Sequence, residues 1–133
     1  MKKRFKVEKL IRDRIPEILG QKNIFVKERI MPNDEYIYQL KLKLLEEAQE
    51  VLDSANLDQL IEEITDVFEV LDAIINANSI DSGQIEKKRE EKGRKSGAFN
   101  RKIYCEYIEI SPDNSWIEYY LKSPEKYPEI EKS

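Results

Sequence analysis

Apolar residues recur every three or four positions through residues 34–78, as two stripes separated by one short break. Ile37, Leu40, Leu44, Ala48, Val51 and Ala55 make the first stripe. Leu57, Ile61, Ile64, Phe68, Leu71 and Ile75 make the second, broadened by Leu60, Val67, Val70 and Ile74. Such spacing puts side chains on one face of an α-helix, so it predicts helices over 34–55 and 57–78. Asn33, after Pro32, is placed to cap the first helix. Asn56 is placed to cap the second, with Gln59 in the reciprocal position of a capping box. A connection this short makes the pair an antiparallel hairpin. At about 1.5 Å per residue each helix is roughly 33 Å long, and one short further helix leaves broad apolar stripes only partly covered. The expected fold is therefore mainly α. A helical hairpin plus a third helix completes a four-helix-bundle-type core by forming a homodimer or higher homo-oligomer, with short peripheral β-strands.

The flanking segments are less regular. Pro16 suits the first turn of a short helix reaching Gln21. Residues 24–30 and 100–110 alternate apolar and polar side chains and predict short strands, with Cys105 as a small packed residue in the second. A third helix is expected over 81–92, ended by Gly93. Beyond Pro112, Trp116, Tyr119 and Tyr120 are expected to pack on the domain or on a partner subunit, with a short helix near 114–121. The expected organisation is one helical domain over 1–110 and a tail over 111–133. The N-terminus builds no apolar signal core and no stretch approaches a membrane span, so a cytoplasmic setting without membrane partners is expected.

Composition narrows the chemistry. The chain has no His and one Cys, which excludes a Ser-His-Asp triad, a His general base, His-ligated zinc and Cys-rich clusters. A metal would sit on oxygen ligands, which points to Mg²⁺, Mn²⁺ or Ca²⁺. The net charge of −4 hides a segregation. Residues 1–31 carry ten Lys/Arg against four Asp/Glu, residues 34–78 carry two against twelve, and residues 84–102 carry eight against three. The bland reading is solvated helix faces. The sharper one is a cation site flanked by groups that hold phosphate. An acidic pI near 5.1 and the lack of a groove-reading motif argue against a nucleic-acid partner.

The acids fall at telling positions. Glu46, Glu47 and Glu50 cover one arc of the first long helix, with Glu47 next to its apolar stripe. On the second helix Glu63 falls between Val70 and Ile74, inside the apolar arc, and Asp66 lies beside Val70 and Ala73. An unpaired carboxylate on a core-facing position costs several kcal/mol, so it needs a partner. Only Lys41 and Lys43 are basic in residues 34–78, which makes a bound cation the economical one. An Mg²⁺ ion in such a groove would also take phosphate oxygens from a substrate.

Glu46-Glu47-Ala48-Gln49-Glu50 followed by Glu63-Ile64-Thr65-Asp66 resembles the EExxE…ExxD signature of the all-α nucleotide pyrophosphohydrolases. That superfamily includes MazG-like proteins, phosphoribosyl-ATP pyrophosphohydrolase and the dimeric dUTPases. The opening Lys9-Leu10-Ile11-Arg12-Asp13-Arg14-Ile15-Pro16 is similar to the KLVRDKIP start of the phosphoribosyl-ATP pyrophosphohydrolase-like, MazG-related branch. Lys95-Ser96-Gly97-Ala98-Phe99 resembles its closing KRGGF, with Ala98 in place of the second glycine. Ala73 stands where MazG proper often has Asn, and the tail from Ser111 has no counterpart. The likeness covers about Lys9 to Ile110.

This resemblance implies a house-cleaning or metabolic hydrolase. It would cleave a nucleoside triphosphate, or a relative such as phosphoribosyl-ATP, to monophosphate and pyrophosphate with Mg²⁺. It implies Glu47, Glu50, Glu63 and Asp66 as metal ligands, and Glu46 as a ligand or the base that orients water; Glu46 and Glu47 are the candidate catalytic carboxylates. Lys9, Arg12 and Arg14 near the start, and Lys88, Lys92, Arg94 and Lys95 near the third helix, are the candidate phosphate contacts. The competing expectation is a non-enzymatic helical oligomerisation or regulatory module that keeps the fold. Intact acids at all five motif positions favour the enzyme.

Overall fold

The structure is a computed structural model that describes residues 1–131. It is helical, and no β-strand occurs among the described residues. The helices are α1 (Ile15–Gln21), α2 (Asn33–Asp53), α3 (Leu57–Ala77), α4 (Ser82–Ser96) and α5 (Ile117–Leu121). The chain divides into two compact units, Met1–Lys92 and Gly93–Ser133.

In the first unit α2 and α3 pack on each other. The three residues between them leave only enough chain for an antiparallel return. Asn56 caps α3: its Oδ1 accepts from the Gln59 N–H at 2.9 Å, and Gln59 Oε1 accepts from the Ala55 N–H at 2.9 Å. The capping box is therefore present, displaced by one residue on its return bond. The cap of α2 differs from expectation. Pro32 holds the N-cap position and Asn33 is already helical, because the extended backbone of Pro32 sets the entry. Asp34 and Glu35 then place negative charge in the first turn, where the helix dipole favours it.

The hairpin buries little. Leu40 and Val70 form its apolar core, and Glu47 is buried beside them. On α3 the half-buried or buried positions include Leu60, Glu63, Asp66, Val67, Val70, Ala73, Ile74 and Ile75. The stripe Leu57, Ile61, Ile64, Phe68 and Leu71, by contrast, is exposed, with Phe68 at 64%. The residues that only broadened the sequence stripe thus face α2, and the main stripe is left open. Tyr38, Leu42, Leu45 and Leu52 are likewise exposed on α2.

Other expectations are corrected. The segments 24–30 and 100–110 are not strands: alternation fixes which side chains share a face but supplies no ladder partner. Cys105 is exposed rather than packed. Gly93 does not end the third helix, which runs on to Ser96. Gly97 ends it, at φ +76°, where a side chain would be strained. A Cβ on Gly93 would meet nothing within 4 Å. Gly93→Ala is accordingly expected to stabilise α4 by about 0.8–1 kcal/mol in thermal or denaturant unfolding. In the second unit Trp116, Tyr119, Tyr120 and Tyr127 pack on one another, with neighbouring ring centroids 5.1–6.1 Å apart.

Candidate metal centre

The antiparallel register sets Leu40, Lys43 and Glu47 of α2 against Val70, Asp66 and Ala73 of α3, around a cavity of about 380 Å³. One wall is the irregular segment Leu10–Arg14, and Tyr36 and Glu69 complete the lining. At the acidic end, carboxylate oxygens of Glu47, Glu63 and Asp66 all lie within 4.8 Å of one another. Glu47 is 8% exposed, and the other two are half-buried.

Three of the five motif acids are therefore brought together. Glu46 is turned to a different set of partners. It accepts from Lys9 Nζ at 3.0 Å and from Lys43 Nζ at 3.5 Å. Glu50 is exposed and stands outside the triad, close enough for its charge to act on Glu63.

The electrostatics follow from this crowding. Burial, then the Asp66 charge, pushes the Glu47 carboxyl above its ordinary range, with Glu46 and Glu63 adding and Lys43 opposing. Glu63 is raised by desolvation, then by Glu50, Asp66 and Glu62. At Glu46 burial acts upward, but the Lys9 hydrogen bond and the charges of Lys43 and Lys9 together hold the carboxyl below its usual value.

A carboxyl whose folded pKa is raised binds its proton more tightly when folded. The ion-free protein should therefore gain stability as pH falls from neutral towards the ordinary carboxyl range. Glu46 works the other way, but its contribution is lost only below that range. Thermal melts across pH 7 to 5 in chelator are expected to show a rising Tm, and a smaller rise in Glu47→Gln.

A bound cation is not the only partner open to the acids, because basic side chains also reach them. Arg12 Nη2 meets Asp66 Oδ1 at 2.6 Å, Lys9 meets Glu46, and Lys43 lies 3.5 Å from Glu46 and 3.8 Å from Glu47. Lys9 and Arg12 come from far upstream, which helix-wheel reasoning on residues 34–78 does not reach. Glu63 has no ion pair among the described residues. Of the candidate phosphate contacts, Arg12 and Arg14 line the cavity. Lys88, Lys92, Arg94 and Lys95 are exposed along α4, and Lys88 pairs with Glu91 at 3.7 Å. Tyr36, Lys43 and Glu69 are cavity residues not singled out from the sequence as site groups. Tyr36 lies one turn before Leu40, a periodicity that could have marked it.

The donor set is all hard oxygen, which suits Mg²⁺ or Mn²⁺. No known protein-family model matches this chain, and no curated protein or solved structure matches it.

Proposed function

We propose that the chain is an Mg²⁺-dependent nucleotide pyrophosphohydrolase of the MazG-like kind, releasing a monophosphate and pyrophosphate. The observation that carries the reading is the convergence of Glu47, Glu63 and Asp66 within 4.8 Å, at the end of a cavity whose other wall holds Arg12 and Arg14. Acids and guanidinium groups on one cavity are the two halves a metal-bound polyphosphate requires.

Bound Mg²⁺ would neutralise phosphate oxygens and acidify a water. Glu47, Glu63 and Asp66 would hold the ion, with the Glu50 charge close to Glu63. Glu46, kept ionised by Lys9 and Lys43, would be the carboxylate that orients the attacking water without itself holding a proton. Arg12, Arg14 and Lys43 spread the charge that grows on the leaving pyrophosphate.

The exposed stripes on α2 and α3 support oligomerisation. A core of two buried apolar residues is too small to hold two 21-residue helices together. Leu57, Ile61, Ile64, Phe68, Leu71 and Ile75 repeat at alternating four- and three-residue steps, the pattern of a helix-packing seam. A second copy that covers this seam completes a four-helix core.

The test is a pyrophosphate-release screen with canonical, deoxy and damaged nucleoside triphosphates and phosphoribosyl-ATP, with Mg²⁺ and with chelator. Release that requires Mg²⁺ is expected for at least one nucleotide. Silence across the set in a preparation that is folded and oligomeric would favour the non-enzymatic oligomerisation module.

A further inference from the structure

Residues 103–110 have the make-up of a strand and no partner. Ile103, Tyr104, Tyr107 and Ile108 are exposed at 73%, 87%, 60% and 45%. No residue of the segment has a left-handed backbone. Among the described residues none of its N–H or C=O groups bonds to another backbone group. A row of free amides and carbonyls, with apolar side chains alternating along it, is a template for a second strand.

The charges say which strand fits. Arg101 and Lys102 stand at the start of the segment, and Glu106 and Glu109 lie in its second half. None of the four is in an ion pair among the described residues. A second copy of the segment, running antiparallel, lays the acidic half of each strand beside the basic start of the other. A parallel copy would lay Glu106 on Glu106 and Glu109 on Glu109, which is unfavourable. In an antiparallel pair about a two-fold axis, the central residue faces its own copy, because side chains alternate and the axis keeps each face. Centred on Cys105, the ladder sets Ile103 opposite Tyr107 and Tyr104 opposite Glu106. That register brings Arg101 alongside Glu109 and, on the diagonal, Lys102 near Glu106, and it leaves no two carboxylates directly opposed.

The surface area argues for the same partner. The chain exposes 12967 Å², whereas a folded monomer of this mass exposes about 7,300 Å². An obligate dimer interface removes roughly 1,000–2,500 Å² from each partner. Covering the α3 seam alone therefore leaves much of the excess in water.

We infer that residues 103–110 are an intermolecular β-pairing surface, on which the segment joins the same segment of a second copy, antiparallel, about a two-fold axis at Cys105. A two-stranded ladder is marginal by itself, so it closes on copies that the α3 seam has already gathered. The inference rests on that proposed assembly and is independent of the metal and nucleotide reading.

The full chain tests this through its one cysteine. Cys105 is exposed and faces its own copy in this register. A mild thiol oxidant should therefore join two chains into a covalent dimer that reductant reverses, the added oxidant taking the two electrons and two protons that the thiols give up. Tyr104→Cys combined with Cys105→Ser checks the register. Position 104 meets its own copy only on the diagonal, at about 7–8 Å. It should join at least roughly tenfold more slowly, because that distance is beyond easy disulfide reach. Arg101→Glu should slow the Cys105 reaction several-fold, and adding Glu109→Arg should restore it, which a role confined to the single chain would not produce.

An oligomer whose Cys105 fails to join, or joins no faster than the Tyr104→Cys variant, overturns the strand pairing and leaves the α3 seam standing. A double charge variant that stays slow overturns the antiparallel register. A monodisperse monomer removes the assembly and the inference with it.

Discussion

Glu47→Gln is expected to reduce Mg²⁺-dependent pyrophosphate release by roughly 100-fold or more, and in the same variant to raise the Tm of the ion-free protein. The two effects have one cause. Glu47 is the most buried of the motif acids, and its charge is opposed by burial and by Asp66, Glu46 and Glu63. The amide keeps the shape and removes the repulsion, so the fold gains. The same amide offers one weak neutral oxygen where the ion needs an anionic one, so the site loses. In wild type, Mg²⁺ at a hundredfold excess over its Kd is expected to stabilise by about 2.7 kcal/mol, which is roughly a 10 °C rise in Tm. That rise should vanish in Glu47→Gln and in Asp66→Asn. Circular dichroism should show unchanged helicity in both. Normal turnover by either variant would end their assignment as ligands.

Phe68→Glu is expected to break the proposed oligomer. Phe68 is largely exposed in the single chain, in the middle of the stripe that runs from Leu57 to Leu71. Burying one such side chain is worth about 1.5–3 kcal/mol, and a symmetric interface loses that twice when a charge replaces it. Light scattering should show a shift to monomer, with a fall in Tm because the hairpin core alone is small. Asp72→Ala, on the same helix, is expected to leave the mass unchanged. A wild-type protein that is already a monodisperse monomer would remove the four-helix core from the proposal.

How much of this was legible beforehand depends on range. The two long helices, the Asn56 cap and the short connection are written in neighbouring residues, because helix periodicity and capping act over three or four positions. Their ends were displaced by only one or two residues, whereas the third helix ran four residues past its expected end, to Ser96 before Gly97. The strands over 24–30 and 100–110 failed because a strand is defined by a partner. The face of α3 was misjudged because two apolar seams lie side by side on it. Period alone does not say which of them a neighbour covers.

The candidate site divides in the same way. Spacing along each helix put Glu47 beside the apolar face and Glu63 and Asp66 on or next to it. Sequence by itself determined that these acids lie on or beside the apolar faces of two helices joined by one tight connection; the packing of α2 on α3 decided that Glu47, Glu63 and Asp66 meet and that Glu46 and Glu50 stand outside. The tertiary structure alone decided which cations answer them. Lys9 and Arg12 reach Glu46 and Asp66 across 37 and 54 residues of chain. The path of an irregular segment is set by the surface it lands on and not by any local repeat.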